Sequence, residues 1–190
     1  MPNVHAVHSV GHSLVTWLKN AYPRDLREVT ECDFVLLSSG EMAAKEERGP
    51  AVSLWLYRVT PNEHLRNVPR RGDSADARPP LYLDLHYLVT VWADNALAEH
   101  TILAWVLERL HRMPMLDVSS LSPEGGWEPG DQVQLVTEDL ATEELMRIWE
   151  AVDPAYRLSV PIVARVVRID LERQPGVPVV ASRFAVGSGR

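Results

Sequence analysis

The chain has 190 residues, 46% of them hydrophobic and 24% charged, with a formal net charge of −7. These values exclude a disordered chain and work against bulk electrostatic attraction to nucleic acid or anionic lipid. A chain of this length buries roughly 70% of its unfolded surface and supports one domain with a real core. The basic residues are 17 Arg and two Lys, Lys19 and Lys45. Arginine suits contact surfaces, although codon bias in a GC-rich genome accounts for the same imbalance. The single cysteine, Cys32, forms no internal disulfide, which fits a reducing compartment. Met1–Lys19 lacks a basic n-region and a long apolar core, so no secretory signal is expected. No apolar run approaches the length of a membrane span. A cytoplasmic chain is the expectation.

Ala6–Ala21 reads as a helix, with Val7, Val10, Leu14, Trp17, Leu18 and Ala21 on one side. Tyr22-Pro23 ends it, because the residue before proline is pushed out of the α region. Asp33–Ser38 is a short apolar strand, and Ser39–Pro50 a charged connection. Ala51–Val59 reads as a strand with Val52, Leu54, Leu56 and Arg58 on one face and Trp55, Tyr57 and Val59 on the other. Apolar residues on both faces predict an inner strand. The stretch 61–80 holds four prolines and four arginines, Arg66, Arg70, Arg71 and Arg78. A loop of that length is usually functional or disordered, so a projecting arm is expected there, and its arginines are candidate contacts.

Leu81–Met113 organises the chain. Leu81–Trp92 is a long strand with Leu81, Leu83, Leu85, Tyr87, Val89 and Val91 on one face. Tyr82, Asp84, His86, Leu88, Thr90 and Trp92 line the other. Asp94 and Asn95 supply the cap of a helix running to about Met113, and Glu99 favours its first turn. Its predicted buried stripe is Ala96, Leu103, Val106, Leu107, Leu110 and Met113. Leu116–Gly130 reads as a loop and Gln132–Thr137 as a strand. Asp139 or Thr142 caps a further helix ending near Val152, with Ala141, Leu145, Ile148, Trp149 and Val152 inward. Tyr156–Leu171 is the last strand. Its alternation changes phase near Val166-Val167, which predicts a bulge, and Pro161 implies an edge position or a second bulge. Residues 172–190 show no core pattern and read as an extended or flexible tail.

No feature carries a strong catalytic signal. His5, His8 and His12 share a helix face, but no acidic or cysteine ligand is adjacent in sequence, and structural zinc usually takes four ligands. Gly11-His12-Ser13-Leu14-Val15 lacks the strand–turn–helix that a nucleophile elbow needs. Nothing local activates Cys32. Asp84 and His86 are two residues apart on one strand face; a polar or subunit-facing side of the strand is the plainer reading. Trp105 falls beside Arg109 and Arg112, away from the predicted stripe, and this composition is that of an interface hot spot. A loop lying over Trp105 is the alternative. The face of Tyr82, Asp84, His86 and Trp92 is the second candidate contact surface. No catalytic, cofactor or metal residue is assigned.

Four segments carry a family resemblance. They are His12-Ser13-Leu14-Val15; Val52-Ser53-Leu54-Trp55-Leu56-Tyr57-Arg58-Val59; Pro79 through Trp92 followed by Glu99-His100; and Tyr156-Arg157-Leu158-Ser159-Val160 with Arg165-Val166-Val167-Arg168-Ile169-Asp170. In this order and spacing the chain resembles the N-terminal domain of the tail-terminator (cap) proteins of extracellular contractile injection systems. The resemblance implies a single α+β domain over residues 1–171. It implies a mixed, mostly antiparallel sheet of about four to five strands packed with two to three helices. It also implies a non-enzymatic structural role with no cofactor: a hexameric ring that caps the inner tube and sheath, with no nucleic-acid or membrane partner. A small metal-dependent or hydrolytic enzyme is the alternative reading.

Overall fold

A computed structural model of the chain describes residues 1–44, 48–65, 80–152 and 155–171. The helices are α1 (Ala6–Ala21), α2 (Arg24–Val29), α3 (Ser39–Ala43), α4 (Ala96–Arg112) and α5 (Thr142–Val152). The strands are β1 (Asp33–Leu37), β2 (Ala51–Pro61), β3 (Leu81–Trp92), β4 (Met115–Asp117), β5 (Gln132–Thr137) and β6 (Ser159–Ile169). The six strands make one sheet in the order β1-β2-β3-β6-β5-β4. Only β1 and β2 pair in parallel; the other four pairings are antiparallel. The α+β class matches the expectation, with more strands and more helices than the sequence suggested.

The long strand β3 is central because both its faces bury apolar side chains. Its odd-numbered residues Leu85, Tyr87, Val89 and Val91 join the larger core under α1 and α4, with Val10, Leu14, Ile102 and Val106. Its even-numbered residues Leu88 and Trp92 join a second core with Trp55, Met42, Trp149 and Val152. The sheet is therefore covered on both sides, by α1 and α4 on one and by α3 and α5 on the other. The second core corrects the expectation that the even-numbered face of β3 is free for neighbours.

The smaller elements explain why these helices form. Asn95 accepts a hydrogen bond from the Ala98 N–H and caps α4, a device worth about 1 kcal/mol. Ser38 and Glu41 form a reciprocal capping box at α3, a signal present in the sequence as Ser38-x-x-Glu41 inside the stretch read as a connection. The helix α3 carries the chain from β1 to the parallel strand β2, which no tight turn can do. The short α2 lies in a stretch with no assigned pattern, and β4 overlaps the start of the expected loop Leu116–Gly130.

Two bulges set the phases of the sheet. Leu56 pairs with Tyr87 and Arg58 with His86, so Tyr57 is the extra residue of β2. Val59 consequently falls opposite Leu85 rather than on the face of Trp55. In β6, Ala164 faces Leu85 and Val167 faces Leu83, so Arg165 and Val166 together oppose Asp84. This is the phase change expected near Val166. Val166 has φ of 66°, a genuine outlier for a β-branched residue. Val166→Gly is expected to raise stability by up to about 1 kcal/mol in urea unfolding, since the left-handed conformation costs an L-residue roughly that much. Val163→Gly, at a regular buried position, is expected to lower it.

Pro161 lies in an inner strand, yet its missing donor costs no ladder bond. Its carbonyl accepts from the Glu138 N–H, and a strand residue turns its N and O to the same side. The last β5–β6 pair is Thr137–Ile162, so the missing donor faces Glu138, one residue beyond the ladder, and leaves the β3 side of β6 intact.

Candidate assembly surfaces

The polar side chains that the sequence singled out divide into three groups by what they touch. Asp84 clamps the β6 bulge. Its Oδ1 accepts from the Val166 N–H at 3.1 Å and from Asn62 Nδ2 at 3.0 Å. Asn62 is itself buried and accepts from the Leu65 N–H through Oδ1. Asp84 thus ties together the bulge and the point where β2 leads into residues 66–79. It makes no hydrogen bond to His86, so the two do not form a catalytic pair.

His86 is 7% exposed and lies in a chain of hydrogen bonds. Its Nδ1 is 3.1 Å from Glu138 Oε2, and its Nε2 is 3.0 Å from Thr60 Oγ1. Tyr57 donates its hydroxyl to the same Glu138 oxygen at 3.1 Å. Burial, followed by the Glu138 charge, pushes the Tyr57 hydroxyl up to about 12. The network fastens the β2 bulge to the end of β5. Tyr82 remains half-buried, while Trp92 is buried. The Trp92 indole N–H donates to Ser53 Oγ at 2.8 Å, and its ring lies beneath the guanidinium groups of Arg48 and Arg157, at 5.6 and 5.8 Å. Trp149 packs edge-on against it.

Trp105 corrects the expected hot spot. It is 8% exposed and packs edge-on against Tyr22 and Phe34, with ring centroids 5.0 and 5.8 Å away. The buried stripe of α4 is Ala98, Ile102, Trp105, Val106 and Leu110, rotated from the predicted one, and Ala96 is exposed. The rotation follows from the socket of Tyr22 and Phe34, supplied by segments distant in sequence. Arg109 lies over the ring of Trp17 at 5.2 Å and joins α4 to α1. Arg112 is exposed and pairs with Glu108 one turn earlier. Arg66, Arg70, Arg71 and Arg78 lie outside the described residues, as does the tail 172–190.

Sequence reasoning missed a fourth group, around Arg168. This side chain is buried, donating to Asp131 at 2.9 Å, Glu128 at 3.1 Å and Asp170 at 2.9 Å. Burial opposes its charge, but the hydrogen bonds it donates to Asp170 and Glu128 outweigh that and hold its pKa above the ordinary arginine value. The Met1 ammonium lies 3.3 Å from Glu128, and the Asp170 N–H donates to the Pro2 carbonyl. The cluster therefore fixes the N-terminal residues and the loop after β4 onto the end of β6. No local pattern announces it, because its partners come from residues 1–2, 128–131 and 168–170.

The histidine face of α1 acquires an acidic neighbour through the fold, since His8 Nδ1 is 3.0 Å from Glu124 Oε1. His8 stacks on His12. Among the described residues, no group of three or more His, Cys, Asp or Glu is arranged to hold a metal. Ser13 is inside α1, where its hydroxyl donates to the Ser9 carbonyl and accepts from the Ser122 N–H. Burial, then the Asp33 charge, pushes the Cys32 thiol up to about 12. Cys32 is expected to react with iodoacetamide at pH 8 severalfold more slowly in the folded chain than in urea, because the thiolate is the nucleophile. The folded state holds this proton more tightly, so its contribution to stability is full below the unfolded thiol pKa. It is lost as pH rises from about 9 toward 12.

The exposed apolar side chains mark the open surface. Val29 and Leu97 are 80% and 77% exposed and flank a cleft of about 150 Å³ walled by Tyr22, Leu26, Ala98 and Ile102. Among the described residues, no helix is long and apolar enough to cross a membrane.

These features define a mixed-sheet α+β domain whose singled-out polar groups mostly fasten its own strands and loops. The Pvc16 N-terminal domain model matches residues 9–182, and the chain belongs to that family. A cryo-EM structure of the sheath/tube terminator of PVC, an extracellular contractile injection system, in the extended state, aligns with a TM-score of 0.58 and 20% identity. The alignment covers 96% of this chain and 64% of that one. The tube-terminating cap of the anti-feeding prophage aligns with a TM-score of 0.51 and 20% identity, over 89% of this chain and 60% of that one. At this identity the likeness is one of fold, and the chain spans less than two thirds of either solved chain. A search of curated proteins returned no match.

Proposed function

We propose that this chain is a non-enzymatic structural subunit of a phage-tail-like contractile injection particle. It caps the distal end of the tube and sheath as a closed ring, hexameric in the simplest case, and stops their growth. The observation that carries this reading is the shared fold with two terminator proteins over nearly the whole chain, together with the family match. The polar groups support it: Asp84, His86, Glu138 and Arg168 are taken up in fastening the chain's own strands and loops. A ring needs heterologous interfaces that close on themselves, and the partners in this reading are copies of the chain, the inner-tube protein and the sheath protein. Assembly inside the producing cell, with later release of the particle, completes the reading. The test is negative-stain imaging of the purified chain, alone and with tube or sheath protein. Six-fold rings or capped tube ends are expected. A monomer at high concentration that binds neither protein would overturn the proposal.

A further inference from the structure

The two edges of the sheet are unlike. The β4 edge is three residues long and ends in Asp117; short length and charge are what protect an edge from unwanted pairing. The β1 edge is five residues, Asp33-Phe34-Val35-Leu36-Leu37. Four of them are apolar, there is no Lys, Arg or Pro, and its register with β2 is unbroken. The Asp33 N–H donates to the Pro50 carbonyl at 3.0 Å. Asp33, Val35 and Leu37 therefore turn their peptide groups toward β2, and Phe34 and Leu36 turn theirs outward. No described strand lies beyond them. Such a row of open N–H and C=O groups is a template for an added strand.

The chain itself holds a segment suited to that edge. Residues 179–186 are Val-Val-Ala-Ser-Arg-Phe-Ala-Val, free of Pro and Gly and longer than the edge. Residues 173–190 contain three Arg and no acidic residue, in a chain of net charge −7. The foot of β1 is acidic, with Glu28, Glu31 and Asp33 all exposed. The placement favours a second copy over the same one. The described chain ends at Leu171 after β6, while β1 lies beyond β3 and β2, and helices cover both faces between them. A donor leaving the end of the inner strand β6 and an acceptor at the β1 edge are different surfaces, so their exchange is head-to-tail, the heterologous contact that closes rings. We propose that residues 179–186 of one copy add as a strand to the β1 edge of the next. The proposal rests on the ring reading only in needing a second copy.

Hydrogen exchange of the full chain tests it, followed at the Phe34 and Leu36 amides across a dilution series whose oligomeric state is measured by light scattering. Both amides are expected to exchange on the order of tenfold or more slowly in the oligomer than in the monomer. An excess of a synthetic peptide of residues 173–190 is expected to disperse the oligomer. Of two such peptides N-methylated at alternate residues of 179–186, only one is expected to retain this effect, since an edge pairs with every second peptide group. Rings whose Phe34 and Leu36 amides exchange as fast as in the monomer would overturn the inference and leave the ring reading standing. Equal slow exchange in monomer and oligomer would overturn it too, as would equal competition by both N-methylated peptides. A chain that never self-associates, alone or with tube or sheath protein, would overturn both readings.

Discussion

Trp105→Ala is expected to lower folding stability by about 3–5 kcal/mol, the usual cost of emptying a buried aromatic site. The ring fills a socket made by Tyr22 and Phe34, both buried, from either side of α2. Removing it leaves a void between α4, the end of α1 and β1 that these elements cannot close without moving the sheet. For a chain of this size the loss corresponds to roughly a 10 °C fall in Tm. Trp105→Phe keeps most of the contact and is expected to cost much less. Arg112→Ala, exposed and paired only within its own helix, is expected to stay within about 0.5 kcal/mol. Urea unfolding of the three variants checks the order. A Trp105→Ala chain as stable as wild type but unable to self-associate would restore the surface role that its sequence position suggested.

Arg168→Met is expected to cost about 3–5 kcal/mol, as removal of one partner from a buried ion cluster usually does. Methionine keeps most of the apolar stem, so lost packing contributes little. What remains is Glu128, Asp131 and Asp170 without the guanidinium that gathers them. Three carboxylates then repel one another in a half-buried site. The effect should reach residues 1–3 as well, because the Pro2 carbonyl accepts from Asp170 and the Asn3 N–H donates to Gly125 in the same corner. Faster amide exchange at Asn3 and Asp170 would accompany the lowered midpoint. Asp131→Asn, which keeps a hydrogen-bond acceptor, is expected to cost less. A change below about 1 kcal/mol for Arg168→Met would show that the cluster is well solvated.

The contrast between these two residues shows what kind of information each scale carries. Arg168 falls within a segment of family likeness, yet its partners come from three separated stretches, so no window of sequence reveals the cluster. Trp105 is conspicuous in the sequence, but it lies on the buried side of α4 and not on the expected exposed side. Helical periodicity alone places it between two apolar stripes, and only the aromatic socket from Tyr22 and Phe34 selects one of them. Trp92 was misplaced for a related reason: a strand pattern identifies two faces but does not say that α5 will bring Trp149 over the second one.

The elements whose periodicity is long are legible in the amino-acid order alone. Ala6–Ala21, Leu81–Trp92 and Gln132–Thr137 have the expected bounds, Asn95 caps α4 as read, and the phase change in β6 falls at Val166. Alternation and capping are local physics, complete within a few residues. The tertiary structure decided which faces are covered, which strand ends the sheet, and where Asp84, His86 and Arg168 find partners. Those outcomes depend on contacts between residues far apart in the chain, and burial there is settled by which side chain completes a socket.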